Sequence, residues 1–153
     1  MIALPIVTLI VYSFNHLNEK YSALLQDKQN ISQLKTIQYA SALAHELRIE
    51  RGASASILHN VNNSYFPSLL EEQKKHTDTK MSEFLSHATN VDTLKREFSI
   101  IKNSFDALQK IRAEVLLGDI APDRAFEFYT NVNTQLISLI NNFKLSSNVK
   151  LIN

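Results

Sequence analysis

Two arginines stand where helical spacing calls for hydrophobes. Between Ala40 and Leu58, apolar or small residues recur at Ala40, Ala44, Leu47, Ser54 and Leu58, and Arg51 falls on the same face. At about 100° per residue, Arg51 lies roughly 40° from Leu47 and roughly 20° from both Ala44 and Leu58. A second stripe runs through Leu94, Phe98, Ile101, Phe105, Leu108 and Val115, and Arg112 interrupts it. A guanidinium stays protonated, presents five N–H donors in a planar fork and is costly to bury without a carboxylate or another planar anion.

Two readings follow from that chemistry. In the first, each arginine pairs with an acid from another helix, Arg112 with Asp78 or a glutamate. In the second, both face one site, and the small residues from Gly52 to Ser56 leave a recess where a small anion sits. Gly52 serves either case, because a mid-helix glycine costs about 1 kcal/mol relative to alanine and can also permit close helix packing. Tyr129 stands near a third stripe, where its hydroxyl needs a core partner or an anion. Gln73 and Thr77 place polar groups at the middle of a fourth.

The elements that must position these groups are helices. Two glycines and three prolines in 153 residues leave little turn chemistry for a sheet. Residues 2–14 are apolar apart from Thr8 and Ser13, too short a run to span a bilayer, which takes about 20 residues. They read as the outer end of a transmembrane helix that starts upstream, or as a hydrophobic helix end buried in a bundle. Residues 18–60 read as one long helix, opening with a polar stretch to Gln33 that forms a stalk or a dimer-facing segment. The Asn-rich segment 60–64 is a loop, and Pro67 opens a second helix with Leu70, Gln73, Thr77, Met81, Phe84 and Ala88 on one face. A connection around Asn90 and Asp92 starts the third helix, which Gly118 caps. After Asp119 to Pro122, the last helix turns Ala125, Phe128, Tyr129, Val132, Leu136, Leu139 and Phe143 inward. The expected fold is all-α: an antiparallel up-down four-helix bundle whose long first helix continues from a membrane segment.

Composition excludes several functions. A net charge of +1 with no Lys or Arg run gives no nucleic-acid footprint. With no cysteine there is no disulfide, zinc-thiolate site or thiol nucleophile. His76 and His87 are not spaced for a metal, and no nucleophile and base pair or phosphate loop is present. The chain reads as a non-enzyme that needs no metal or cofactor.

The run His45-Glu46-Leu47-Arg48-Ile49-Glu50-Arg51-Gly52-Ala53-Ser54-Ala55 resembles the H-E-L-x-x-E-R-G-x-S-A signature of the nitrate- and nitrite-sensing (NIT) domain family of bacterial receptors. Other pieces follow in the family's order. Thr77-Asp78 resembles its T-D pair, Ile111-Arg112-Ala113-Glu114-Val115 its R-x-x-V segment, and Gly118-Asp119-Ile120 with Phe128-Tyr129-Thr130 its G-x-I and Y-T. Arg48 stands where the family more often has Gln, which adds a positive charge one turn from Arg51.

The resemblance implies an extracytoplasmic sensor of nitrate or nitrite in the bacterial inner membrane, with a periplasmic helical domain that signals to an output module. Residues 1–16 would then end a truncated transmembrane helix, 17–145 would form a bundle like the first half of a NIT domain, and 146–153 a tail that stops before the second half. It also implies a homodimer, and a ligand site of Arg51 and Arg112 supported by Arg48, Tyr129 and His45. Two other readings stay open. One is a bundle receptor for another small anion such as a carboxylate; the other is a ligand-free dimerising bundle with its arginines closed by Asp78 and Glu50.

Overall fold

Long uninterrupted runs of helix formers give four long helices. The structure, a computed structural model, describes residues 3–59, 65–88 and 95–150. Among these residues all the regular structure is helical: α1 (Ala3–His59), α2 (Tyr65–Ala88), α3 (Lys95–Leu117) and α4 (Pro122–Lys150). The apolar opening and the long first helix expected from sequence are one element of 57 residues. The loop expected at 60–64, the connection at Asn90 and Asp92, and Leu94 lie outside the described residues. The segment expected as a tail carries α4 on as far as Lys150.

Two compact units divide the chain, residues 1–34 and 35–153. The first is the N-terminal part of α1, with large apolar side chains from Ile6 to Leu34 exposed. No helix among the described residues is long and apolar enough to cross a membrane.

The second unit holds the core. Its buried stripes alternate steps of three and four residues, the spacing that keeps one face toward neighbouring helices. On α3 the stripe is Ile101, Phe105, Leu108, Arg112 and Val115, and on α4 it is Ala125, Tyr129, Val132, Leu136, Leu139 and Phe143. On α1 it runs through Ala40, Leu43, Leu47, Glu50, Ser54 and Ile57. This corrects the sequence reading, which put Arg51 and Leu58 in the stripe. Both versions share Ala40, Ala44, Leu47 and Ser54. They differ past Leu47, where the partner helices bury Glu50 and Ile57 and leave Arg51 and Leu58 half-buried.

These stripes build two apolar clusters with polar residues between them. The larger gathers Leu43 and Leu47 with Phe84, Phe105, Leu108 and Leu136, and includes an edge-to-face pair of Phe84 and Phe105. The smaller gathers Ala53, Ile57, Leu70, Val115, Ile120 and Ala125. Glu50 falls between the clusters on α1, Gln73 and Thr77 on α2, and Arg112 on α3.

The turn between α3 and α4 sets the register of the two helices that carry Arg112 and Tyr129. Gly118 has φ +73°, a left-handed conformation that a side chain would strain. Its N–H donates to the Val115 carbonyl at 3.2 Å and that of Asp119 to the Glu114 carbonyl at 2.9 Å, which together close the helix end. Pro122 then opens α4, with Asp123 in its first turn.

Candidate anion site and its buried acid–base cluster

Glu50 is the hub of the polar layer. Its carboxylate is fully buried and accepts from Arg112 through two parallel bonds, Nε to Oε1 at 2.7 Å and Nη2 to Oε2 at 2.8 Å. The planar fork of arginine matches a carboxylate in this bidentate form, the strongest common pairing of the two groups. The Tyr129 hydroxyl also donates to Glu50 Oε1, at 2.8 Å, and accepts from Ser54 Oγ at 3.2 Å. A third Arg112 donor, Nη1, reaches Asp78 Oδ1 at 2.7 Å. Arg112 is 1% exposed, whereas the Asp78 side chain is 43% exposed, so the cluster opens toward solvent on its α2 side.

Charge and burial act in opposite directions on Arg112. Desolvation disfavours its charged form, but Glu50 and Asp78 outweigh that and hold its pKa above the ordinary arginine value. Burial beside the Glu50 carboxylate pushes the Tyr129 hydroxyl well above the usual tyrosine range. Tyr129 is therefore held as a neutral donor.

The five residues picked from sequence separate into an interior pair and an outer set. Arg112 and Tyr129 meet on Glu50 in the interior. Arg51 is half-buried rather than core-facing: its guanidinium lies 4.5 Å from the centroid of the Phe126 ring, and Nη1 donates to Thr130 Oγ1 at 3.0 Å. Arg48 and His45 are exposed on the outer side of α1. Of the small residues from Gly52 to Ser56, Ala53 and Ser54 are buried in the bundle, while Gly52 is exposed and a methyl group there would meet no atom within 4 Å. Close helix packing is therefore not what places glycine there.

Partners of Arg51 were not visible in the sequence. Phe126 and Thr130 sit one turn apart on α4, and nothing in their spacing marks them as neighbours of α1. Glu50 and Arg51 are consecutive, and so are Tyr129 and Thr130, which makes a double clasp between α1 and α4. Gln73 adds a link from α2, donating to the Glu46 carboxylate at 2.7 Å and to the Glu46 carbonyl at 3.2 Å. Buried Asn133 donates to the Tyr129 carbonyl, while its own Oδ1 has no partner.

A family model described as nitrate and nitrite sensing matches residues 42–152. The chain belongs to this family. Comparison with curated proteins and with solved structures gives no match. In this NIT domain, the motif pieces that lie far apart in sequence are bonded to one another. Asp78 of the T-D pair takes Arg112 of the R-x-x-V segment, and Tyr129 and Thr130 of the Y-T pair take Glu50 and Arg51 of the opening signature. Glu46 and Ser54 of that signature also bond to other helices. The NIT signature on α1 thus supplies cross-helix partners to α2, α3 and α4.

Proposed function

We propose that residues 35–150 form the sensor bundle of a nitrate or nitrite receptor and that Arg51 makes the first contact with the anion. The observation that carries this is the contrast between the two arginines. Arg112 is neutralised by two carboxylates, whereas among the described residues Arg51 meets only a neutral hydroxyl and an aromatic face. A planar oxyanion can accept two parallel N–H bonds from that guanidinium, with the positive charge of Arg48 about one turn before it on the same helix and His45 about a turn before that. Three of the five N–H donors of Arg112 are engaged, so it contributes to the ligand once Asp78 swings toward solvent, whereas the single O–H of Tyr129 stays committed to Glu50.

A signal follows from the clasp. An anion that draws Arg51 from Thr130 acts one residue from the Glu50–Tyr129 bond, and so biases how α1 sits against α4. α1 carries that bias toward its N-terminal turns, which are apolar on all sides and exposed, as a segment against membrane lipid is. In this reading the bundle lies outside the bacterial inner membrane, and a homodimer relays the signal across it. The larger apolar cluster precedes the polar layer on α1 and α3 and follows it on α2 and α4, which supports an antiparallel up-down order.

Thermal unfolding of the full chain with nitrate, nitrite, chloride or acetate at equal ionic strength tests the proposal. A ligand that binds only the folded state at a hundredfold excess over Kd adds about 2.7 kcal/mol of stability. The expected result is a rise with nitrate or nitrite that is lost in Arg51→Ala. A rise with acetate alone would make this a carboxylate receptor, and no rise with any anion would favour a ligand-free bundle.

A further inference from the structure

We infer that Asn133 is a positioning residue of the anion site: its buried side-chain oxygen takes an N–H of Arg48 and so brings a second guanidinium beside Arg51. The inference rests on the reading above, in which Arg51 meets the anion, and adds a part to that site. Asn133 is 6% exposed, its Nδ2 donates to the Tyr129 carbonyl at 3.1 Å, and its Oδ1 is buried without a donor. A carboxamide oxygen accepts up to two hydrogen bonds, and a buried one left bare costs stability.

Register brings Arg48 to the same level. Arg51 bonds Thr130, and Glu50 and Ser54 both bond the Tyr129 hydroxyl. In the antiparallel order supported above, a step of three residues back along α1 from Arg51 matches a step of three forward along α4 from Thr130. Those steps end on Arg48 and Asn133. Arg48 follows Ala44 by one turn, and that small buried residue leaves room for an arginine stem to lie across it. Arg48 is exposed and has no hydrogen bond or ion pair among the described residues.

Charge makes this pairing useful to an anion. Arg48 and Arg51 sit on successive turns, about 4.5 Å apart along the helix axis and about 60° apart around it. Like charges at that spacing repel. The neighbouring acids are committed to other helices: Glu46 to Gln73, and Glu50 to Arg112 and Tyr129. Asn133 is a neutral acceptor, so it holds a guanidinium without cancelling its charge. An oxyanion between the two arginines relieves their repulsion, and a planar one takes donors from both. Binding then exchanges one link between α1 and α4 for another, as Arg51 leaves Thr130 for the anion and Arg48 closes on Asn133. The bare oxygen gains its donor only in the bound form, a contact that differs between the two states.

A double-mutant cycle tests this. Tm of the full chain is followed against sodium nitrate and, separately, sodium nitrite, with sodium chloride holding the ionic strength constant. The chains are the parent, Asn133→Leu, Arg48→Ala and the double variant. Without nitrate or nitrite, Asn133→Leu should be as stable as the parent or more so, because it removes a bare buried oxygen. Each single variant should raise the anion concentration at half-response at least threefold, and the double variant should raise it no further. A merely structural asparagine would move only the Tm of the anion-free chain. Asn133→Asp keeps the size and the acceptor but cancels the charge it holds, and should also raise the half-response concentration at least threefold. An unchanged half-response in Asn133→Leu or Asn133→Asp, or single effects that multiply in the double variant, would overturn the proposal. A response abolished by Arg51→Ala but intact in Asn133→Leu would keep Arg51 as the anion contact and remove Asn133 from the site. No response of the parent to either anion would overturn both readings. As a second measurement, the Arg48 Nε–H followed by NMR should gain protection from exchange when the anion is added to the parent, and should not in Asn133→Leu.

Discussion

Glu50 and Arg112 lie 62 residues apart and are joined by two parallel bonds of 2.7 and 2.8 Å in a region from which water is excluded. A bidentate pair this deeply buried stabilises little relative to hydrophobes of the same volume, yet removing one partner strands the other charge. Glu50→Leu alone should therefore destabilise the bundle by about 3 to 5 kcal/mol, measured by urea unfolding. Glu50→Leu combined with Arg112→Met should recover most of that loss. A double variant as unstable as the single would show that the pair does more than neutralise itself.

Asp78 holds the same guanidinium from the exposed side. Because solvent screens it, Asp78→Asn should cost less than about 1 kcal/mol. The same change removes the carboxylate charge that neutralises Nη1 of Arg112 and should increase the nitrate-induced rise in Tm. An unchanged response would place the anion on Arg51 alone.

Tyr129 is bonded to Glu50 and Ser54, and Tyr129→Phe leaves both short of a partner, at a cost of about 1.5 to 3 kcal/mol for a hydrogen bond to a charged group. Its pH dependence has a definite sign. The folded pKa lies above the unfolded value of about 10, so the unfolded chain loses this proton first. The contribution is complete below pH about 10 and declines as pH rises from there toward the folded value. Stability measured between pH 9 and 11 should fall more steeply in the parent chain than in Tyr129→Phe.

Variants of Arg51 separate stability from the response to an anion. Its stacking on Phe126 and its bond to Thr130 are partly exposed, and Arg51→Ala should cost only about 1 kcal/mol. It should nonetheless abolish the thermal response to nitrate. Arg51→Lys keeps the charge but loses the planar fork, and should retain a weakened response.

Asn133 provides a stability test in the absence of anion. Its buried Oδ1 has no donor, an arrangement that costs about 1 to 3 kcal/mol. Asn133→Leu should leave the protein as stable or raise its Tm, and a clear loss of Tm would mean that a donor reaches that oxygen in solution.

Much of this was legible in the chain. Scarce glycine and proline called for long helices, and Gly118, Pro122 and Pro67 marked helix ends close to where they occur. The faces of α2, α3 and α4 followed from apolar spacing, and so did an arginine, Arg112, inside the third stripe. The opening signature and its distant companions pointed to the family.

What the chain did not disclose was which flank of α1 turns inward. Glu50 and Arg51 are neighbours, both charged, placed about 60° and 40° to either side of Leu47, so no count of hydrophobes can choose between them. The choice lies in what faces them: Arg112 and the Tyr129 hydroxyl stand where a carboxylate completes their bonds, and Phe126 and Thr130 stand where a guanidinium can rest at the rim. Periodicity is a property of one helix and is written in the sequence. Charge pairing depends on the distance between helices 62 to 79 residues apart in the chain, and only the packed bundle sets that distance.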